Sequence, residues 1–185
     1  TQAEPGAVAL AMRLGPAQLK HLEERFEKGN KEGRRTRGSA DRAERLDKRL
    51  ATEVDRAQEF YGTLGERQRK VLQDAIASSA FDPQRAYAER VRRQMDMLST
   101  LRAIAPNNGA PGADPAQSLT AIRAYMERVS RSPDPLYRSQ SEAAIAQNCQ
   151  TYARLHNSAS PEQRRRAVAR LAAYDRDARE LATQR

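Results

Sequence analysis

Apolar residues return every three or four positions along almost the whole chain. Ala43, Leu46, Leu50, Val54, Ala57, Tyr61 and Leu64 form one stripe, Tyr87, Val91, Met95, Leu98 and Leu101 a second, and Leu119, Ile122, Met126 and Val129 a third. Two more follow: Ile145, Asn148, Cys149, Tyr152 and Leu155, then Val168, Leu171, Tyr174, Ala178 and Leu181. This is the period of a helix with one buried face, and the first stripe also suits a near-heptad seam. No stretch alternates with period two long enough to make a strand. The fold expected is therefore all-α, with about seven amphipathic helices packed as an antiparallel bundle or as an open curved array.

Start signals punctuate these stripes. Ser160-Pro161-Glu162-Gln163 places Ser at the cap, Pro where its missing N–H costs nothing, and Gln where it reaches back to the cap. Gly15-Pro16-Ala17-Gln18 has the same layout, with Leu14 set to staple onto Leu19. Asp82-Pro83-Gln84 and Asp114-Pro115-Ala116-Gln117 carry Asp caps, which also suit the positive end of a helix dipole. Ser139-Gln140-Ser141-Glu142 reads as a capping box without Pro, and Gly65-Glu66-Arg67-Gln68 as a weaker relative.

Three segments break the pattern. Residues 29–38 hold three glycines and four basic residues without an apolar side chain, which predicts an exposed flexible loop or a frayed helix end. Residues 106–114, rich in Pro, Gly and Asn, are the expected hinge or subdomain boundary within a single helical domain spanning 1–185. Ser132-Pro133-Asp134-Pro135 is a stiff corner. At 185 residues the chain is long enough to bury a core without disulfides or metal. With 5% aromatics and no Trp, that core must come from Leu, Ala, Val, Ile and Met.

The charge of +9 raises nucleic acid, an anionic membrane or an acidic partner as candidates. Its distribution is flat. Residues 1–105 carry 21 basic and 16 acidic side chains, and residues 106–185 carry 12 and 8. Arg supplies 28 of the 33 basic residues, a bias that coding preference alone produces. Two clusters remain as candidate anion or partner contacts: Arg34, Arg35 and Arg37 in the Gly-rich segment, and Arg164, Arg165 and Arg166 at the start of the last helix, where a cation gains nothing from the dipole. A solvated face accounts for both, since Glu32, Asp41 and Glu162 lie close in sequence and no aromatics interleave for base stacking.

No catalytic constellation emerges. His21 and His156 lie far apart, and no Glu-x-x-His pair provides a di-iron site. His21 with Glu24 reads as a solvated pair, and His156, followed by Asn157, as a helix end. No phosphate loop, Cys-x-x-Cys or nucleophile elbow is present, so no cofactor or metal is expected. Cys149, the lone cysteine, lies on an apolar stripe and is expected to be buried and inert. No run of 18 apolar residues spans a membrane. The opening Thr1-Gln2-Ala3-Glu4-Pro5 lacks a charged region leading into an apolar one, so any export signal is expected upstream or already removed.

The segments SAFDPQRAYAERVRRQ (79–94), RSPDPLYR (131–138) and NCQTYARLHNSASPEQRRRAVARLAAYDRDARELA (148–182) resemble the C-terminal part of a family of uncharacterised proteobacterial lipoproteins. LGPAQLKHLEERF (14–26) and FYGTLGERQRKVL (60–72) resemble its earlier segments, so the likeness runs through essentially the whole chain. It implies export, an all-helical periplasmic body, and a lipidated cysteine in an N-terminal part that precedes Leu14 in the family and is lacking here. The stretch 29–38 is looser than its family counterpart. LGPAQ, LGERQ and SPEQR are also similar to the Leu-Thr-x-x-Gln motifs of small periplasmic helical chaperones, although capping alone yields the same letters.

The function expected is that of a non-enzymatic periplasmic lipoprotein body that binds another protein, a chaperone client or an envelope partner. Contact with the membrane is expected only through the upstream lipid. A nucleic-acid or polyanion binder is the second class, disfavoured by the flat charge, and an enzyme whose catalytic groups lie in the family's N-terminal part is the third.

Overall fold

A computed structural model describes residues 4–39, 42–79, 81–106 and 112–183. It is all-α among the described residues, with eight helices: α1 Glu4–Ala11, α2 Pro16–Ser39, α3 Arg42–Tyr61, α4 Glu66–Ala77, α5 Pro83–Ile104, α6 Pro115–Ser130, α7 Pro135–Asn157 and α8 Pro161–Thr183. None is long and apolar enough to cross a membrane. The chain divides into two compact units, one of residues 1–39 and 82–141, the other of 40–81 and 142–185. The segment 106–114 falls inside the first, and its residues 107–111 lie outside the described ones.

Most helix starts follow the local chemistry of the sequence. The Asp82 carboxylate accepts from the amides of Gln84 and Arg85 at 2.8 and 3.2 Å, and Asp114 accepts from Ala116 and Gln117 at 2.9 Å each. Ser160 and Gln163 exchange bonds as a capping box: the Gln163 amide donates to Ser160 Oγ at 3.1 Å, and the Ser160 amide donates to Gln163 Oε1 at 3.0 Å. Gln18 and Gln68 reach back in the same way to the amides of Gly15 and Gly65. These bonds satisfy amides that a helix start otherwise leaves without partners.

The eight helices among the described residues agree with the about seven expected, the one outside the apolar stripes being α1, EPGAVALA. Three expectations need correction. Residues 29–38 continue α2 as helix through Ser39. Three glycines cost that helix about 1 kcal/mol each against Ala, but Asn30 Nδ2 donates to Gln94 Oε1 at 2.7 Å and ties the glycine-bearing stretch to α5. The box at 139–142 is not a helix start. Asp134 already caps α7 by accepting from the Leu136 amide at 2.9 Å, with Pro135 at the first helical position, so Ser139–Glu142 falls inside the helix.

The third correction concerns the rotation of α7 and α8. On α7 the inward line is Ala144, Gln147, Thr151 and Leu155, one residue round from the apolar stripe, which leaves Ile145 and Cys149 exposed. Polar side chains set that face: Gln147 Nε2 donates to the Ala75 carbonyl at the end of α4 at 3.1 Å, and Thr151 Oγ1 bonds back to the Gln147 carbonyl. On α8 the inward positions are Gln163, Ala167 and Arg170, while Val168, Leu171 and Leu181 face solvent. Gln163 Nε2 donates to the Thr63 carbonyl and to Gln68 Oε1, and Arg170 and Tyr174 both bond Glu59 on α3.

In the unit of residues 40–81 and 142–185, Val54, Ala57, Leu64, Leu72 and Leu155 form one buried cluster, with Leu50 and Tyr61 packed against it. Gly62 ends α3 at φ +74°, its amide bonding the Gln58 carbonyl at 2.8 Å. That left-handed conformation is open to glycine and strained for other residues. A methyl group there would also stand 3.3 Å from Arg166 Nη1. In chemical denaturation, Leu155→Ala is expected to lower stability by about 3 kcal/mol through the cavity it leaves, and Gly62→Ala by about 1–2 kcal/mol through backbone strain. A Leu155→Ala loss under about 1 kcal/mol would show that this cluster is not packed as described.

Candidate functional site

The two arginine clusters belong to different units. Arg34 and Arg35 lie exposed on the later turns of α2, where Arg34, Lys28 and Lys31 share a shallow recess with Glu24, Glu27 and Tyr87. The side chain of Arg37 lies outside the described residues. Arg164, Arg165 and Arg166 are exposed on the first turns of α8. Arg164 donates to the Asn157 carbonyl at 3.3 Å, capping the end of α7, and Arg166 lies along Gly62. Of the five arginines whose side chains are described, Arg164 and Arg166 thus have structural contacts, and Arg34 lines the recess on α2.

His156 lies at the end of α7, with its Nδ1 3.0 Å from Tyr61 Oη, and burial pushes the Tyr61 hydroxyl above its ordinary pKa. Among the described residues no three His, Cys, Asp or Glu side chains converge where a metal ion would sit.

The unit of residues 1–39 and 82–141 also holds a groove of about 900 Å³. One face of α2 supplies Gln18, His21, Leu22, Arg25 and Phe26, the spacing that lines residues up along a helix. Met97, Thr100 and Leu101 of α5 and Ile122, Tyr125 and Met126 of α6 continue the wall, and α1 with Leu14 closes it through Ala7, Leu10 and Ala11. Leu10 is 65% exposed and Met126 56%, so large apolar side chains stand at its rim. Among the described residues the lining includes no carboxylate.

Sequence reasoning missed this groove. Leu101, Ile122 and Met126 were identifiable as stripe residues, but the stripes carry no mark that separates a filled core from an open one. The apolar run of residues 7–12 was the available signal that a further element covers this region.

Beside the groove, and sharing Phe26, Met97 and Tyr125 with it, lies a recess of about 310 Å³ that adds Glu89, Arg90, Arg93 and Tyr137. Glu89 is 4% exposed. Arg92 Nε donates to one of its carboxylate oxygens and Arg93 Nε to the other, both at 2.7 Å. Arg92 also reaches Asp96 at 3.3 Å and the Arg128 carbonyl on α6 at 3.1 Å, while Arg128 returns a two-pronged bond to Asp96 at 2.7 and 2.9 Å. Burial by itself would push the Glu89 carboxyl up; the bonds from Arg92, Arg93 and Ser132, with the Arg92 charge, outweigh it and hold the pKa down at about 2. Asp96 is also held low, first by the bond from Arg128.

With this geometry in place, comparison with known proteins decides the family. A family of unknown function, DUF6279, matches residues 1–111, more than half of the chain. The chain belongs to DUF6279. The DUF6279 match takes in α1 to α5, and with them the α1, α2 and α5 walls of the groove. It includes the segments 14–26, 60–72 and 79–94, whereas 131–138 and 148–182 lie beyond it. No curated protein and no solved structure matches this DUF6279 chain.

The ion network has a consequence for acid stability. A carboxyl whose pKa is lower folded than unfolded adds stability that is fully present above the unfolded value and is lost as pH falls toward the folded one. For Glu89 the window runs from about pH 4.5 down to about 2, and its full depth is on the order of 3 kcal/mol. Acid titration of wild type should show helix loss in this window. Glu89→Gln should be less stable at neutral pH and lose less stability across the same range, the remainder belonging to carboxyls such as Asp96; an unchanged acid profile in Glu89→Gln would assign the transition to other groups.

Proposed function

We propose that this chain is the helical body of a periplasmic lipoprotein that binds another protein, as a chaperone-like or adaptor component of the cell envelope, and catalyses no reaction itself. The observation that carries the reading is the apolar groove bounded by α1, α2, α5 and α6, with Leu10 and Met126 exposed at its rim. An apolar surface of this kind in contact with water is unfavourable by about 25 cal/mol per Å², and contiguous patches of it mark docking sites more often than single exposed residues do. The lining also suits a variable occupant. Met97 and Met126 are unbranched and polarizable, and adapt to differently shaped apolar side chains. Periplasmic residence and lipid anchoring are supported by the resemblance of segments 14–26, 60–72, 79–94, 131–138 and 148–182 to exported lipoproteins, and the periplasm is a compartment through which unfolded or partly assembled envelope proteins pass.

Two assays test the reading together: suppression of aggregation of a chemically unfolded test protein, and affinity capture from envelope extract. Wild type is expected to act in at least one. Leu10→Glu/Met126→Glu, both at exposed positions, is expected to weaken that activity at least tenfold, since each lost apolar contact is worth about 1.5–3 kcal/mol. Inactivity of wild type in both assays, or full activity of the double variant, would overturn it.

A further inference from the structure

We propose that the segment docking in this groove is an amphipathic helix with acidic residues flanking its apolar stripe, held by Arg25 and Arg90. This inference rests on the groove being the docking surface and adds the chemistry of the partner.

The groove is charged on one side only. His21 and Arg25, one turn apart on α2, both line it, and no carboxylate among the described residues does. Of the nearest acids on α2, Glu23 binds Arg102 at 2.7 Å, Glu24 approaches Lys20 at 4.0 Å, and Glu27 lines the separate recess that holds Lys28, Lys31 and Arg34. Arg25 makes no ion pair among the described residues. In the adjoining recess the single carboxylate, Glu89, is taken by Arg92 and Arg93. Arg90 is left exposed there without an acidic partner among the described residues, its Nη2 lying 3.6 Å from where a Cβ on Gly29 would stand. Two uncompensated guanidinium groups therefore flank an apolar surface, one in the groove and one just past the shared residues Phe26, Met97 and Tyr125. Charge complementarity calls for an occupant that is apolar along its length and anionic at its flank.

The shape favours a helix over a single acyl chain. The α2 wall from Gln18 to Phe26 is about 12 Å long, two turns, and it presents its residues with helical spacing. A partner helix inserting residues at i, i+3 or i+4 and i+7 meets such a wall turn for turn. Leu10 and Met126 are exposed at the rim, so side chains enter sideways along the groove.

The test uses the full chain and two synthetic helical peptides with the same Leu/Phe stripe, one flanked by Glu and the other by Lys, with binding read by fluorescence anisotropy. The Glu-flanked peptide is expected to bind about tenfold tighter at low salt, and the preference to shrink as salt rises, as it does for exposed ion pairs. In Arg25→Gln/Arg90→Gln, whose exposed positions should leave the helical circular dichroism unchanged, the preference should vanish while shared apolar binding persists. Equal affinity for the two peptides, or a preference undiminished in the double variant, overturns the charge assignment while leaving the docking groove in place. If neither peptide binds but wild type still protects an unfolded client, the helix assignment fails by itself; if client protection is also absent, the docking reading fails with it. Binding of decanoate with the same arginine dependence, and of neither peptide, would assign the groove to an acyl chain and overturn the proposal.

Discussion

Arg92 stands between two carboxylates, Glu89 and Asp96, on one face of α5, and the first of the two units is arranged around it. Its third contact, to the Arg128 carbonyl, crosses to α6, and Arg128 crosses back to Asp96. Burying these charges is costly, and a network of this kind is tolerated only when nearly every donor and acceptor finds a partner. Here the partners lie on both helices, so the network holds only in one register of α5 against α6. That register places Met97, Thr100 and Leu101 opposite Ile122, Tyr125 and Met126, which are the facing walls of the groove. The apolar contacts between the helices do not need to fix this arrangement by themselves. With three Phe, six Tyr and no Trp in the chain, they would be poorly equipped to do so.

Polar side chains play the corresponding part in the second unit. Gln147 and Thr151 turn α7, Gln163 orients the start of α8, and Glu59 receives both Arg170 and Tyr174. The apolar stripes of α7 and α8 then face outward in part, because a hydrogen-bonded Gln held against a helix end outcompetes a small apolar contact such as Ala. When a helix is rich in Ala, its most hydrophobic face and its buried face need not coincide.

This explains what was legible in the sequence and what was not. The starts at 15, 65, 82, 114 and 160 were legible because capping depends on residues within three positions of one another. The box at 139–142 obeyed the same rule and still misled, since Asp134-Pro135 begins the helix one turn earlier and a helix already under way has no use for a second cap. The helical continuation through residues 29–38 was not legible because its support comes from Gln94, 64 positions away from Asn30. The groove was the least legible feature. Its α2 and α5 walls are separated in sequence by α3 and α4, and α1 carries no start signal.

An open groove in a chain built from small side chains follows from the same economy. Filling the space between α1, α2, α5 and α6 would take large rings at Ala7, Ala11 or Thr100; the six-membered rings in the described lining are those of Phe26 and Tyr125. The space left is lined by flexible Met and Leu side chains, which lose little in exposure as single residues but gain together when an apolar segment covers them. Because the carboxylates nearby are drawn into Arg92, Arg93, Arg102 and Lys20, the cations that remain at the margin are Arg25 and Arg90. The ion pairs that order the helices thus also help set the charge of the groove: Glu89 and Asp96 are held in the α5–α6 network, and part of the chain's positive excess is left where an incoming partner meets it.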